Sequence, residues 1–267
     1  MKSGVQMNKN LSILGVWSDL WSELRANGWI LIQAIAIPLV LTTILEQASQ
    51  LLQVPWFIRL LGGIVYVLLT CLYAVSIHRI ILIDRDPISN RFGLYWHRHL
   101  IDYIGALLAI LVCLVPVVAG LFFFIFMGSL MLSEVQSTAS WFPFLLMMVP
   151  SWALMGYVLS RLSIWLPARA VGDPSGYSEL FLLSKGNGWR LTVTTMLPFV
   201  VVAGLLYPIS NWMLENPGAP VLIPWFLITL FSSLIMVGLL SCAYRALRII
   251  NPLDSNAGGA PSPTIEH

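Results

Sequence analysis

The stretch YIGALLAILVCLVPVVAGLFFFIFMGSLMLS, residues 103–133, contains no charged side chain. A run of that length cannot be the core helix of a small soluble domain. It exceeds the about 20 mostly apolar residues that carry a helix across a hydrocarbon layer of about 30 Å. Outward from it, five further uncharged windows dominated by Leu, Ile, Val, Phe and Met lie at 26–45, 60–78, 135–160, 191–214 and 216–244, with His78 taken as neutral. The whole chain agrees: hydrophobic residues make up 58% of its 267 positions and charged residues 10%, against roughly a quarter charged in soluble domains. The expected fold is an all-α polytopic membrane bundle of six transmembrane helices. It forms one integral membrane domain over residues 1–250, followed by a disordered tail over 251–267 that is rich in Pro, Gly, Ser and Asn.

Basic residues orient the bundle, because the side that retains Lys and Arg is cytoplasmic. Lys2, Lys9 and Arg25 precede the first span. Arg79, Arg85, Arg91 and Arg98 lie between spans two and three, Arg161, Arg169, Lys185 and Arg190 between four and five, and Arg245 and Arg248 after six. That places 13 of the 14 basic residues on one side and leaves Arg59 on the other. Both termini are therefore expected in the cytoplasm. Trp56, Trp141, Trp212 and Trp225 then mark the outer boundary, and Trp17, Trp21, Trp29, Trp96, Trp165 and Trp189 the inner one, as interfacial aromatic belts require. No cleavable leader is expected, since the first 25 residues are polar to amphipathic.

Within residues 1–25, Leu14, Trp17, Leu20, Trp21 and Leu24 recur at helical spacing opposite Ser18, Asp19 and Glu23, which predicts an amphipathic helix in the headgroup plane. Weaker stretches of this kind are Phe92–Leu100 and Tyr177–Leu183. Markers near an 80-residue period predict three parallel helix-plus-hairpin repeats at 10–85, 90–168 and 172–250. They are Pro38, Pro116 and Pro198 in odd spans, Arg79, Arg161 and Arg245 at the ends of even spans, and Glu46, Glu134 and Glu215 in outer loops. Asn27-Gly28-Trp29 and Asn187-Gly188-Trp189 match most closely.

The chain carries no G-x-S-x-G, H-E-x-x-H or Walker signature, and Ser184-Lys185-Gly186-Asn187-Gly188 reads as a helix-ending turn rather than a phosphate loop. No enzyme activity and no cofactor are expected. His78, His97 and His99 lack metal-ligand spacing, so no metal is expected, and they are placed among lipid headgroups. Cys71, Cys113 and Cys242 read as reduced thiols within apolar windows. The net charge of +2 with no basic run excludes nucleic acid as a partner. Glu46, Glu134 and Glu215 are expected as solvated loop acids or as an outward ring. Gln33, Thr42, Thr43, Gln47, Thr192, Thr194 and Thr195 are expected to join helices or line a polar pocket.

Two segments carry a family resemblance. Ser76-Ile77-His78-Arg79-Ile80-Ile81-Leu82 with Asp86-Pro87, and Leu183-Ser184-Lys185-Gly186-Asn187-Gly188-Trp189-Arg190, resemble the H-R-x-x-L loop and G-N-x-W-R segment of uncharacterised six-span bacterial inner-membrane proteins. That group is itself similar to the membrane domain of glycerophosphodiester phosphodiesterases. The resemblance implies a bacterial inner-membrane location and lends no catalytic residue. A comparison with mitochondrial carriers fails, since none of the three span prolines is followed by the carriers' acid and base.

The functional expectation is a non-catalytic protein that binds lipid or partner membrane proteins, as a scaffold or accessory subunit. The alternative is a transporter of a small neutral or lipophilic solute through a pseudo-threefold bundle. The lipid-binding candidates are Arg79, Arg161, Arg245 and His78, positioned to engage anionic headgroups.

Overall fold

The computed structural model describes residues 10–51, 55–83, 98–133, 141–215 and 222–251. They form eight helices: α1 (Ile13–Leu51), α2 (Trp56–Leu82), α3 (Arg98–Ser133), α4 (Trp141–Ser163), α5 (Trp165–Ala170), α6 (Tyr177–Leu183), α7 (Gly188–Glu215) and α8 (Leu222–Ile250). There is no strand among the described residues. Helix is what such a sequence must form in lipid, where each backbone N–H and C=O has to find its partner within the chain. Four stretches are long and apolar enough to cross a bilayer, namely Ile13–Leu45, Trp56–Leu82, Arg98–Gly120 and Phe226–Ile250, and they mark a membrane protein. The other two expected spans fall on α4 and α7, helices of 23 and 28 residues. Neither registers as a full span over its described residues.

The six long helices form a closed ring in chain order. Each touches the next, from α1 and α2 through α3, α4 and α7 to α8, and α8 returns to α1, while α2 also packs on α8. The core lies toward one end of this ring, the end that carries Arg79, Arg161 and Arg245. There Leu20 and Ile35 of α1, Ile77 and Ile81 of α2, Tyr103 of α3 and Leu239 and Leu247 of α8 are buried together. Toward the other end the helices bare their apolar side chains. Every residue from Trp56 to Leu61 is exposed, as are Val115, Val118 and Phe122 of α3 and Val200, Val201 and Tyr207 of α7. Hydrocarbon solvates such side chains as well as a protein interior does, so this exposure is compatible with a bilayer and not with water.

Three expectations are revised. The amphipathic stretch before span one is not a separate helix but the first turns of α1. Asn27 stays helical by donating through Nδ2 to the Glu23 carboxylate at 3.0 Å, and no neighbouring atom comes within 4 Å of a Cβ built on Gly28. Asn187-Gly188, its counterpart in the proposed repeat, instead closes a turn and opens α7. Prolines do not single out the odd spans either, since Pro150 lies inside α4 and α7 holds Pro208 beside Pro198. Finally, α5 appears in what reads as a loop. Its Pro167, Ala168 and Ala170 are buried where it packs against α2, α3 and α8.

The Tyr177–Leu183 helix is present with those bounds as α6. Residues 92–97 of the Phe92–Leu100 stretch, Glu134, and the tail beyond Asn251 lie outside the described residues.

Candidate functional site

Helix C-termini leave carbonyls without intrahelical partners, and buried ends need donors from elsewhere. The three arginines supply them, each to a helix other than its own. Arg79 donates through Nη1 to the carbonyl of Ala170, the last residue of α5, at 3.3 Å. Arg161 donates through Nη2 to the carbonyl of Phe181 in the last turn of α6 at 2.7 Å and through Nε to the Ser184 hydroxyl at 2.8 Å. Arg245 donates through Nη1 to the Ile81 carbonyl at the end of α2 at 3.2 Å and to the Glu23 carboxylate at 2.7 Å. A cation at each of these ends also opposes the negative pole of the helix. All three guanidiniums are half-buried. Arg161 lies with its guanidinium carbon 3.6 Å from the Phe181 ring centroid, a close cation–π contact. Arg79 and Arg161 occupy the last turns of α2 and α4, but α8 continues to Ile250, so Arg248 rather than Arg245 sits in its last turn.

His78 does not join this set at the headgroup level. It is fully buried, with Nδ1 2.7 Å from the Ser241 hydroxyl of α8 and the Tyr103 ring at 5.7 Å. One residue advances a helix by about 100°, so Arg79 can reach the surface of α2 while His78 turns into the α2–α8 seam. Nε2 of His78 is buried without a hydrogen-bond partner among the described residues. His97 lies outside the described residues, and the His99 ring covers Gly172. Among the described residues no three His, Cys, Asp or Glu side chains gather as a metal site.

A second cluster at the same end was not legible in the sequence. Asp173, in the connection between α5 and α6, accepts hydrogen bonds from Arg248, from the Tyr244 hydroxyl and from the Ser175 amide. Arg169 closes the loop from within by donating to the carbonyls of Asp173 and Ser175. Gly172 takes φ +76°, a conformation that favours glycine, and a Cβ there would meet the His99 ring at 2.4 Å. Nearby, burial holds the Tyr177 phenol above its ordinary range, with Cys113 adding to the shift and Arg161 opposing it.

The G-N-x-W-R segment has a structural task. Residues 184–187 form the turn between α6 and α7, with Gly186 at φ +80°. The buried Asn187 side chain accepts the Leu11 amide through Oδ1 at 2.7 Å, and Arg190 donates to the Leu11 carbonyl at 3.3 Å. Together they dock the chain just ahead of α1. The span threonines mostly bond to their own helices, Thr42 and Thr43 to the Leu39 carbonyl and Thr195 to that of Leu191. Thr192 also meets Ser160 of α4 at 2.8 Å, which joins two helices.

Comparison with protein-family models, with curated proteins and with solved structures found no match for this chain.

Proposed function

We propose that this protein is a non-catalytic, six-span component of the bacterial inner membrane, with both termini in the cytoplasm. It binds anionic lipid at its arginine end and serves partner membrane proteins as a scaffold or accessory subunit. The observation that carries this reading is the half-buried state of Arg79, Arg161 and Arg245 at one end of an apolar bundle. A guanidinium has five N–H donors, and among the described residues both bonds of Arg245 leave from Nη1, so Nη2 and Nε are the donors offered to a phosphate. The asymmetric distribution of Lys and Arg supports the orientation, and the lengths of α4 and α7, about 34 and 42 Å at 1.5 Å per residue, support the fourth and fifth spans.

Native mass spectrometry tests the reading. The wild type should retain phosphatidylglycerol or cardiolipin under conditions that strip phosphatidylethanolamine. The combined Arg79→Lys, Arg161→Lys and Arg245→Lys variant should lose part of that preference, because Lys cannot hold a carbonyl and a phosphate in one planar fork. A wild type without preference for acidic lipid would overturn it.

The transporter is the second reading, since the hairpins α1–α2, α3–α4 and α7–α8 touch one another in chain order and α8 returns to α1. A small neutral fluorescent solute that does not cross protein-free vesicles should then move across vesicles that hold the protein; equal movement in empty vesicles would reject this.

A further inference from the structure

The first turns of α1 have two unlike faces. Leu11, just ahead of the helix, and Val16 and Leu20 are buried, with Leu20 seated against Gly238 of α8 so closely that a Cβ there would lie 2.5 Å from it. Glu23 on this side is held by Arg245. The opposite face, at spacings of three and four residues, carries Leu14, Trp17, Ser18, Trp21, Ser22 and Arg25. With Ala26 these residues border a shallow, open groove of about 970 Å³.

Three features make this groove chemically specific. Arg25 is exposed and makes no hydrogen bond or ion pair among the described residues, in contrast to the arginines that cap helix ends. The Ser18 hydroxyl is likewise exposed and unbonded among the described residues, whereas the Ser22 hydroxyl donates to the Asp19 carbonyl. Leu14 is 81% and Trp21 55% exposed, a large apolar surface directly beside an unpaired cation. The acids of this helix do not compete for Arg25, because Asp19 and Glu23 fall off this face by helical register.

We propose that this groove binds one anionic phospholipid of the inner leaflet. Arg25 engages the phosphate, the Ser18 hydroxyl donates to a headgroup oxygen, and Leu14, Trp17 and Trp21 hold the glycerol and the upper acyl chain. An aromatic–cation pairing of this kind is what an interface selects, since the rings fill the glycerol level while the guanidinium meets the phosphate. The surface is preformed, because the buried face of the same turns is held by Gly238 and Arg245 of α8, so a lipid would dock without ordering the helix. The site rests on the lipid-binding reading above but lies on a different helix from the three capping arginines.

The test counts lipids retained by the full-length protein, reconstituted with phosphatidylglycerol as the probe. Arg25→Gln and Trp21→Ala should each lower the occupancy of one retained phosphatidylglycerol about fivefold, matching the about 1 kcal/mol that a basic side chain near the surface contributes. Arg25→Lys should keep most of it, and the triple capping-arginine variant should keep this lipid while losing others. Arg98→Gln, which removes another exposed arginine that makes no hydrogen bond or ion pair among the described residues, is the control for general surface charge. Wild-type retention that Arg25→Gln leaves unchanged, or that Arg98→Gln lowers equally, would overturn the site and leave the broader reading standing. A wild type that keeps no acidic lipid would overturn both.

Discussion

Arg245 and Glu23, 222 residues apart in the chain, meet at 2.7 Å, and the same guanidinium nitrogen reaches the Ile81 carbonyl at 3.2 Å. One side chain thereby ties α1, α2 and α8 at the arginine end. The pair is partly shielded, with the two side chains 33% and 17% exposed, so it should contribute more than a fully solvated ion pair. A double-mutant cycle with Glu23→Ala and Arg245→Ala should give a coupling of about 1 kcal/mol in unfolding measured in detergent. Arg245→Ala should cost more than Glu23→Ala, since it also strips the Ile81 carbonyl of its donor. Additive single costs would contradict the contact.

His78 and Ser241 predict an asymmetry of a different kind. Ser241→Ala leaves a buried imidazole without the partner of its Nδ1, which should cost about 1–3 kcal/mol. Adding His78→Leu should recover part of that loss, because an apolar pair leaves nothing unsatisfied. The check is the melting temperature of the two single variants and the double. A double variant less stable than Ser241→Ala alone would mean that His78 does more than fill the seam.

Gly188 lies under the Tyr157 ring, and a Cβ there would come within 2.5 Å of Tyr157 Cε2. Gly188→Ala should therefore destabilise by about 1–3 kcal/mol through overpacking. The same change in a Tyr157→Leu background should cost less, as read by thermal unfolding of the four proteins. Equal costs in both backgrounds would remove the steric explanation.

The class of fold was legible because a bilayer demands long uncharged segments, and α6 with its following turn was legible because Gly176, Glu179 and Gly186 act locally. Packing was not. Apolar residues surround each span on all sides, so helical periodicity does not say which face turns inward. His78, placed among headgroups by its neighbour Arg79, is instead buried against Ser241, and only the distant pairing of α2 with α8 reveals it. The capping partners of Arg79, Arg161 and Arg245 were hidden for the same reason. A backbone carbonyl carries no mark in the sequence, and each arginine acts on a helix other than its own. The α1 stretch misled because amphipathic spacing does not mark where a surface helix would end and a span begin, and α1 runs on through Asn27, whose side chain bonds Glu23.

That the arginine end faces the cytoplasm is tested most directly by labelling single cysteines, in a background without native cysteine, in intact cells with a membrane-impermeant maleimide. Cysteines at Gln53, Gln136 and Asn216 should react from outside, whereas those at Asn90, Gly176 and Ser255 should react only after the membrane is opened. Labelling of Gly176 in intact cells, or protection of any of the first three until the cells are opened, would contradict the six-span orientation.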